Sequence, residues 1–363
     1  WLPTTFNERI KLIMAYSTID KSTLHFNNKI WTGTGSENAI TGIGFQPDFV
    51  WIKQRNTTRD HNVFDAVRGA TKRIYPDLSV AEDTAAQVLK SFDSDGFTLG
   101  TDTSANQSSG SYVSWNWKAN GAGSANTDGS INTTATSVNT TAGISICKWT
   151  GTAANATIGH GLGAAPKMIM IKNTERDANW IVYHKNLTSY SYRLNLDSNA
   201  AENNSSGSTY WTADPTASVF SIGDNTRLNA NGEVQIAYCF SQIKGFSKFG
   251  SWGGNSNADG PFIYTGFKPA WVMFKRINST GSFVIVDNKR SNSFNPQDRL
   301  LFPNTDAGED GAGETYNWDF LSNGFKARTT SGSYGNATGD TYIYAAFAAA
   351  PLVGSNNQPA SAR

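Results

Sequence analysis

Four histidines, His25, His61, His160 and His184, are the only imidazoles this chain has for proton transfer near neutral pH. His160 sits in the turn-like run Gly159-His-Gly-Leu-Gly163, and His184 follows an apolar stretch. Neither cysteine lies near a histidine in sequence, and no Gly-x-Ser-x-Gly elbow is present. A nucleophilic triad therefore has no local support. The glycine-rich run lacks the Gly-Lys-Ser/Thr ending and the following helix of a phosphate cradle. It reads as a turn before a strand, and the histidines read as structural or surface groups.

Carboxylates offer a second chemistry. Glycoside hydrolysis needs two, roughly 5 to 9 Å apart. Asp93 and Asp95 are two apart, the spacing that would put both on one face of a strand, but a later copy of their motif lacks both acids, and a turn explains Asp95. Asp306, Glu309, Asp310 and Glu314 share a glycine-rich loop of the kind calcium favours, without EF-hand spacing. They are weak metal candidates, and a solvated acidic loop is the simpler reading. No catalytic residue, no cofactor-binding residue and no cofactor is assigned. Trp31, Trp51, Trp115, Trp117 and Trp271 could stack on sugars, yet alternate-residue placement suits a core better. Tyr190 and Tyr192, in a polar stretch, read as solvent-facing.

The elements that would hold these residues recur three times. Gly44-Phe-Gln-Pro47 precedes Asp48-Phe-Val-Trp-Ile-Lys53. Gly161-Leu-Gly-Ala-Ala-Pro166 precedes Lys167-Met-Ile-Met-Ile-Lys172, and Gly266-Phe-Lys-Pro269 precedes Ala270-Trp-Val-Met-Phe-Lys275. A continuous apolar run bounded by turn signals predicts a strand buried on both faces. The outer face then needs cover from a neighbouring unit or chain. Asp95-Gly96 and Asn323-Gly324 predict hairpin turns with positive φ at glycine. Val113, Trp115 and Trp117 alternate in a closing strand, as do Val234 to Phe240 and Ile343 to Phe347. Short helices are expected over Phe6–Tyr16 and Asp83–Ser91.

The expected fold class is all-β: three tandem related β-sandwich-like units with few short helices. The organisation is a lead segment 1–26, unit one 27–120, a Gly/Ser/Thr/Asn-rich linker 121–143 ending in a polar strand, unit two 144–243, unit three 244–350 and a tail 351–363. Thirty Lys and Arg nearly balance 29 Asp and Glu, which argues against a nucleic-acid partner that needs a basic field. Charged residues are 16% of the chain, against about 25% ordinarily, so Ser, Thr, Asn and Gly supply the polar surface. Two distant cysteines, Cys147 and Cys239, do not make a disulfide framework and are expected as free thiols. No apolar run reaches the roughly 18 residues of a membrane helix, and no signal peptide is visible.

Several of these motifs carry a resemblance. Trp31-Thr-Gly-Thr-Gly35, Ile40 to Lys53, Phe64-Asp-Ala-Val-Arg-Gly69, Phe92-Asp-Ser-Asp-Gly-Phe97 and Tyr112 to Lys118 resemble the repeated β-domains of tailed-phage structural proteins, common in marine phages. Unit two is similar through Ile158 to Pro166 and Asn179 to His184, and unit three departs most. The resemblance covers nearly the whole chain. It implies a non-enzymatic virion component, a tail fibre or appendage for host-surface adhesion. The alternatives are a capsid decoration or assembly protein, or a carbohydrate-binding or polysaccharide-degrading tailspike. Implied partners are other virion proteins, further copies of the chain (a trimer if it is a fibre) and a host-surface glycan. The implied setting is a virion assembled in the host cytoplasm. No established catalytic residue comes with the resemblance.

Overall fold

A run of four apolar residues has no polar side chain to place in water, and its shortness between Gly/Pro turns favours an interior strand over a helix. In the computed structural model, which describes residues 17–204, 209–310 and 316–353, three such strands form: Phe49–Gln54, Met168–Asn173 and Phe267–Arg276. The third begins ahead of its proline. Its ladder with the neighbouring strand slips at Lys268 and Pro269, where the missing N–H interrupts pairing.

The fold is all-β, and each of these strands occupies the same place in an antiparallel sheet. In segment one the order is Phe26–Thr32, Ser111–Trp117, Phe49–Gln54, Asn62–Asp65. In segment two it is Ile144–Thr150, Val234–Phe240, Met168–Asn173, Ile181–His184, with Ala135–Asn139 added outside the first. In segment three it is Ser247–Gly253, Thr341–Pro351, Phe267–Arg276, Phe283–Asp287. A three-stranded sheet accompanies each. Its central strands are Gly96–Leu99, Val219–Ile222 and Gly324–Ala327.

Alternation sends the two faces of each interior strand to different places. Phe49, Trp51, Met168, Met170, Trp271 and Met273 join one core shared by all three segments. There one aromatic residue from each closing strand meets the others: ring centroids of Trp117 and Phe240 lie 6.1 Å apart, Phe240 and Phe347 5.7 Å, and Trp117 and Phe347 5.5 Å. The alternate residues turn to their own segment's small sheet. Val50 and Ile52 pack with Phe97 and Leu99, and Ile169 and Ile171 with Phe220 and Ile222. Val272 and Phe274 lie in the shared core cluster with Trp318, whose ring centroid is 4.9 Å from that of Phe274. Both faces are thus covered within one chain. An intermolecular interface built on Val50, Ile52, Ile169, Ile171, Val272 and Phe274 is not needed to bury them.

Local expectations need correction. Asp83–Ser91 is not helical: Asp83–Thr84 and Leu89–Asp93 are strands. Asp83 accepts from Arg73 Nε rather than capping a helix, and Leu89 pairs with Leu99. Phe6–Tyr16 lies outside the described residues. The α-helices described are Thr103–Asn106 and Thr226–Asn229, each capped by a side-chain oxygen, of Asp102 and Asn225. The two hairpins form, but Ser94-Asp95 and Ser322-Asn323 are their turn residues and each glycine opens the next strand. Gly96 has φ 156°, and Gly324 is not in the left-handed region. Glycine is required there because a Cβ would meet Ile40 O at 1.8 Å or Ile263 O at 2.2 Å. In the middle copy Val219 takes this place and its strand partner is Gly159, so the side chain's room comes from the other strand.

A clamp recurs ahead of each closing strand. Asn106, Asn229 and Asn336 are fully buried. Each Oδ1 accepts a backbone N–H at 2.9 Å, from Thr34, Thr152 and Asn255. Each Nδ2 donates to two carbonyls: Ser36 and Gly100, Ala154 and Gly223, Asn257 and Thr329. The amide ties the end of the opening strand to the loop that starts the closing one.

Candidate functional site

The chain's buried ionisable groups concentrate at the seams between segments. The lysine next to last in each interior strand is fully buried. Lys53 donates to Gln54 O and to Asp306 O of segment three, both at 3.0 Å. Lys172 donates to Ala178 O at 2.7 Å and to Ser79 O of segment one at 3.0 Å. Lys275 donates to Arg276 O at 2.5 Å and to Asn199 O of segment two at 3.4 Å. Each lysine therefore reaches the preceding segment, and the first reaches the third. Burial draws all three ammonium groups down to about 8. Backbone bonds cross beside them: Arg59 N to Asp306 O, Ala178 N to Ser79 O, and Gly281 N to Asn199 O.

A second set of ties runs the other way, from the last residue of the fourth strand. Asp65 accepts from Tyr238 Oη at 2.6 Å and from Arg68 Nε at 2.6 Å. Asp287 accepts from Trp115 Nε1 at 2.9 Å and from Arg290 Nε at 2.6 Å. His184 takes the same place in segment two. Its Nδ1 accepts from Asn186 N, so its Nε2–H donates to Tyr344 O at 3.0 Å. Burial holds this imidazole down to about 4. The segments are joined one to two, two to three and three to one, which closes a ring.

The other candidates from the sequence are engaged structurally. Trp51 Nε1 donates to His61 Nδ1 at 2.9 Å, leaving the ring proton on Nε2, which faces Phe302 O at 3.1 Å. His61 is fully buried, and burial holds it well below its ordinary value. His160 Nδ1 accepts from Leu162 N within its turn, and Nε2 faces Thr216 O. His25 packs edge-on against Phe246. Asp93 accepts from Ser91 and Thr98 hydroxyls. Asp95 accepts from Gly42 N and Gly44 N, which keeps its carboxyl below the usual range.

In the acidic loop, Glu309 forms ion pairs with Arg55 at 2.8 Å and Arg290 at 3.1 Å. Asp306 and Asp310 take part through their backbones, and Glu314 lies outside the described residues. Among the described residues no group of three His, Cys, Asp or Glu side chains converges as a metal site. Trp51, Trp115, Trp117 and Trp271 are core, Trp31 stacks on Tyr112, and Tyr190 is exposed while Tyr192 packs on the core. Cys147 and Cys239 are free and buried. No helix among the described residues is long and apolar enough to cross a membrane.

Sequence reasoning missed the seam lysines and the Asp65, His184, Asp287 set. The signal for the lysines was present, because a charged residue ended each otherwise apolar run. Comparison with known families places this arrangement in context. Residues 21–351 match one family model, described as a domain of unknown function, DUF7483. The chain belongs to this DUF7483 family. The matched span takes in all three segments and both sides of every seam. No curated protein matches the chain.

Proposed function

We propose that this DUF7483 chain is a non-enzymatic structural or adhesion module of a bacteriophage virion, a tail fibre or similar appendage, built of three related β-sandwich-like units closed into a ring. One observation carries the non-enzymatic reading. The buried lysines, His61 and His184 bond across seams to backbone carbonyls, and Asp65 and Asp287 accept across seams from Tyr238 and Trp115. Catalysis needs titratable groups aimed at a space a substrate can enter, and these groups are aimed at protein. The virion assignment is supported by the resemblance of the Trp31-Thr-Gly and Ile40-to-Lys53 motifs to phage β-domains. A surface rich in Ser, Thr, Asn and Gly, with little net charge, permits close packing with other particle proteins and with further copies.

The test is peptide mass spectrometry and cryo-electron microscopy of purified particles from cells making this protein. Density for the chain at a fixed position on the tail is expected. Its presence only in the soluble lysate would overturn the virion reading, and a position on the capsid shell would replace appendage with decoration.

A further inference from the structure

One pair of side chains recurs ahead of each fourth strand. Its first member, Asp60, Asn179 or Ser282, precedes by the same distance the residue paired with the start of the apolar run: Asp65 opposite Phe49, His184 opposite Met168, Asp287 opposite Trp271. Its second member, Asp77, Asp197 or Asn304, follows by the same distance the residue that bridges the fourth strand, Ile74, Leu194 or Leu301. In segment two one hydrogen joins the pair, because Asn179 Nδ2 donates to Asp197 Oδ2 at 3.0 Å. In segment three Asn304 Nδ2 donates to Ser282 Oγ at 3.3 Å, while its Oδ1 accepts from Phe283 N at 2.9 Å.

Segment one has a carboxyl group in both places. Asp77 is 8% exposed. Its Oδ1 accepts from His61 N at 3.1 Å, as Asn304 does from Phe283 N, and its Oδ2 is buried with no hydrogen-bond partner in the structure. The matching Oδ2 of segment two faces the side chain of Asn179, where segment one has Asp60. Burial, and after it the charge of Asp60, pushes the Asp77 carboxyl up to about 8. Two ionised carboxylates side by side in such a place repel, and they leave Oδ2 unpaired.

We propose that Asp77 and Asp60 share one proton, carried on Asp77 Oδ2 and donated to the Asp60 carboxylate, and that its loss opens the seam between segments one and three. The proton supplies the hydrogen that an amide supplies in the other two segments. A metal cation in its place is opposed by the Lys53 ammonium, which both acids attract. The seam is affected because the residues around Asp77 are the ones that cross it. His61, whose N–H Asp77 holds, faces Phe302 O through Nε2, and Lys53 donates to Asp306 O. Once the proton leaves, the doubled negative charge draws Lys53 away from Asp306 O. The titratable groups facing the pair are Lys53 on the interior strand, His61 and Tyr75 in segment one, and Asp306 across the seam. The folded chain keeps a proton that the unfolded chain releases above its ordinary value of 3.8. This contribution to stability is therefore whole below that value and is lost as pH rises through about 8. The other two seams have an amide in the pair and lack the switch.

Carbon-13 NMR of the full chain, labelled at aspartate side chains and titrated from pH 4 to 10, reads the proton. Hydrogen exchange by mass spectrometry reads the seams. One carboxyl is expected to titrate near 8. Its signal should vanish in Asp77→Asn and move to lower pH in Asp60→Asn, which copies segment two. Between pH 7 and 9, after correction for intrinsic rates, Arg59 N–H at the one-to-three seam should lose roughly tenfold protection, the amount linked to one pH unit. Ala178 and Gly281, at the other seams, should keep theirs. Asp77→Asn, which copies segment three, should hold Arg59 protected at pH 9. The absence of a carboxyl titrating above about 6.5, equal losses at all three seams, or the same loss in Asp77→Asn would overturn the proposal. A titration abolished by millimolar calcium would put a cation in the proton's place and overturn it too.

Discussion

Tyr238, on the closing strand of segment two, donates its phenolic proton to Asp65 of segment one across 173 residues of sequence. Arg68 Nε donates to the same carboxylate oxygen, Oδ2, at 2.6 Å. A hydrogen bond to a buried charged group contributes about 1.5 to 3 kcal/mol net. Tyr238→Phe keeps the ring in the shared core and removes that donor together with the acceptor of Arg68 Nη2 at 3.3 Å. Denaturant unfolding should show a loss in this range with an unchanged m-value. A loss below about 0.5 kcal/mol would mean that the tie contributes little.

The buried histidines set a pH dependence. His184 has its folded value lowered to about 4, and His61 well below its ordinary one, both chiefly by burial. Between the folded and unfolded values the unfolded chain binds the extra proton and the folded chain does not. The histidine contribution to stability is therefore fully present above about pH 6.5 and falls as pH drops toward 4, by up to about 1.4 kcal/mol per pH unit for each histidine, while Asp77, pushed up to about 8 by burial, works against it over the same range. Urea titrations at several pH values should show this slope. His184→Gln should flatten it, and an unchanged slope in that variant would remove His184 from the explanation.

Gly324→Ala should destabilise by about 1 to 3 kcal/mol, as overpacking does, because the new Cβ meets Ile263 O at 2.2 Å. The cause is the closeness of the edge strand. A crystal structure of the variant should show Phe262–Tyr264 displaced from Gly324–Ala327. An undisturbed strand pair with wild-type stability would refute the contact argument.

The asparagine clamps should behave alike. Asn106→Ala, Asn229→Ala or Asn336→Ala each strands one backbone N–H and two carbonyls in a buried place. Each should cost about 1 to 3 kcal/mol or more in equilibrium unfolding. Unequal losses, with one near zero, would show that the three copies do not share a mechanism.

What the sequence revealed follows from the range of the interactions involved. Pro47 and Lys53 bracket an apolar run, and a strand buried on both faces could be read from six residues. Asn106, Asn229 and Asn336 stood in matching places, each three or four residues before a glycine, but their role depends on a loop about 70 to 80 residues away. The Asp83–Ser91 stretch has helical spacing, yet Val88 and Leu89 gain more by packing under the small sheet than a short helix could offer. The seams were illegible because Lys53 meets Asp306 O across 253 residues. Nothing local to Lys53 says which backbone receives it.

Native-state hydrogen exchange of the full chain tests the ring closure most directly. If the three segments share one core and close one to two to three to one, the slowest amides of Phe49–Gln54, Met168–Asn173 and Phe267–Arg276 open only in global unfolding. They should then show a single free energy equal to that from denaturant melts. Distinct plateaus, with one segment exchanging at markedly lower free energy while the others stay protected, would contradict it.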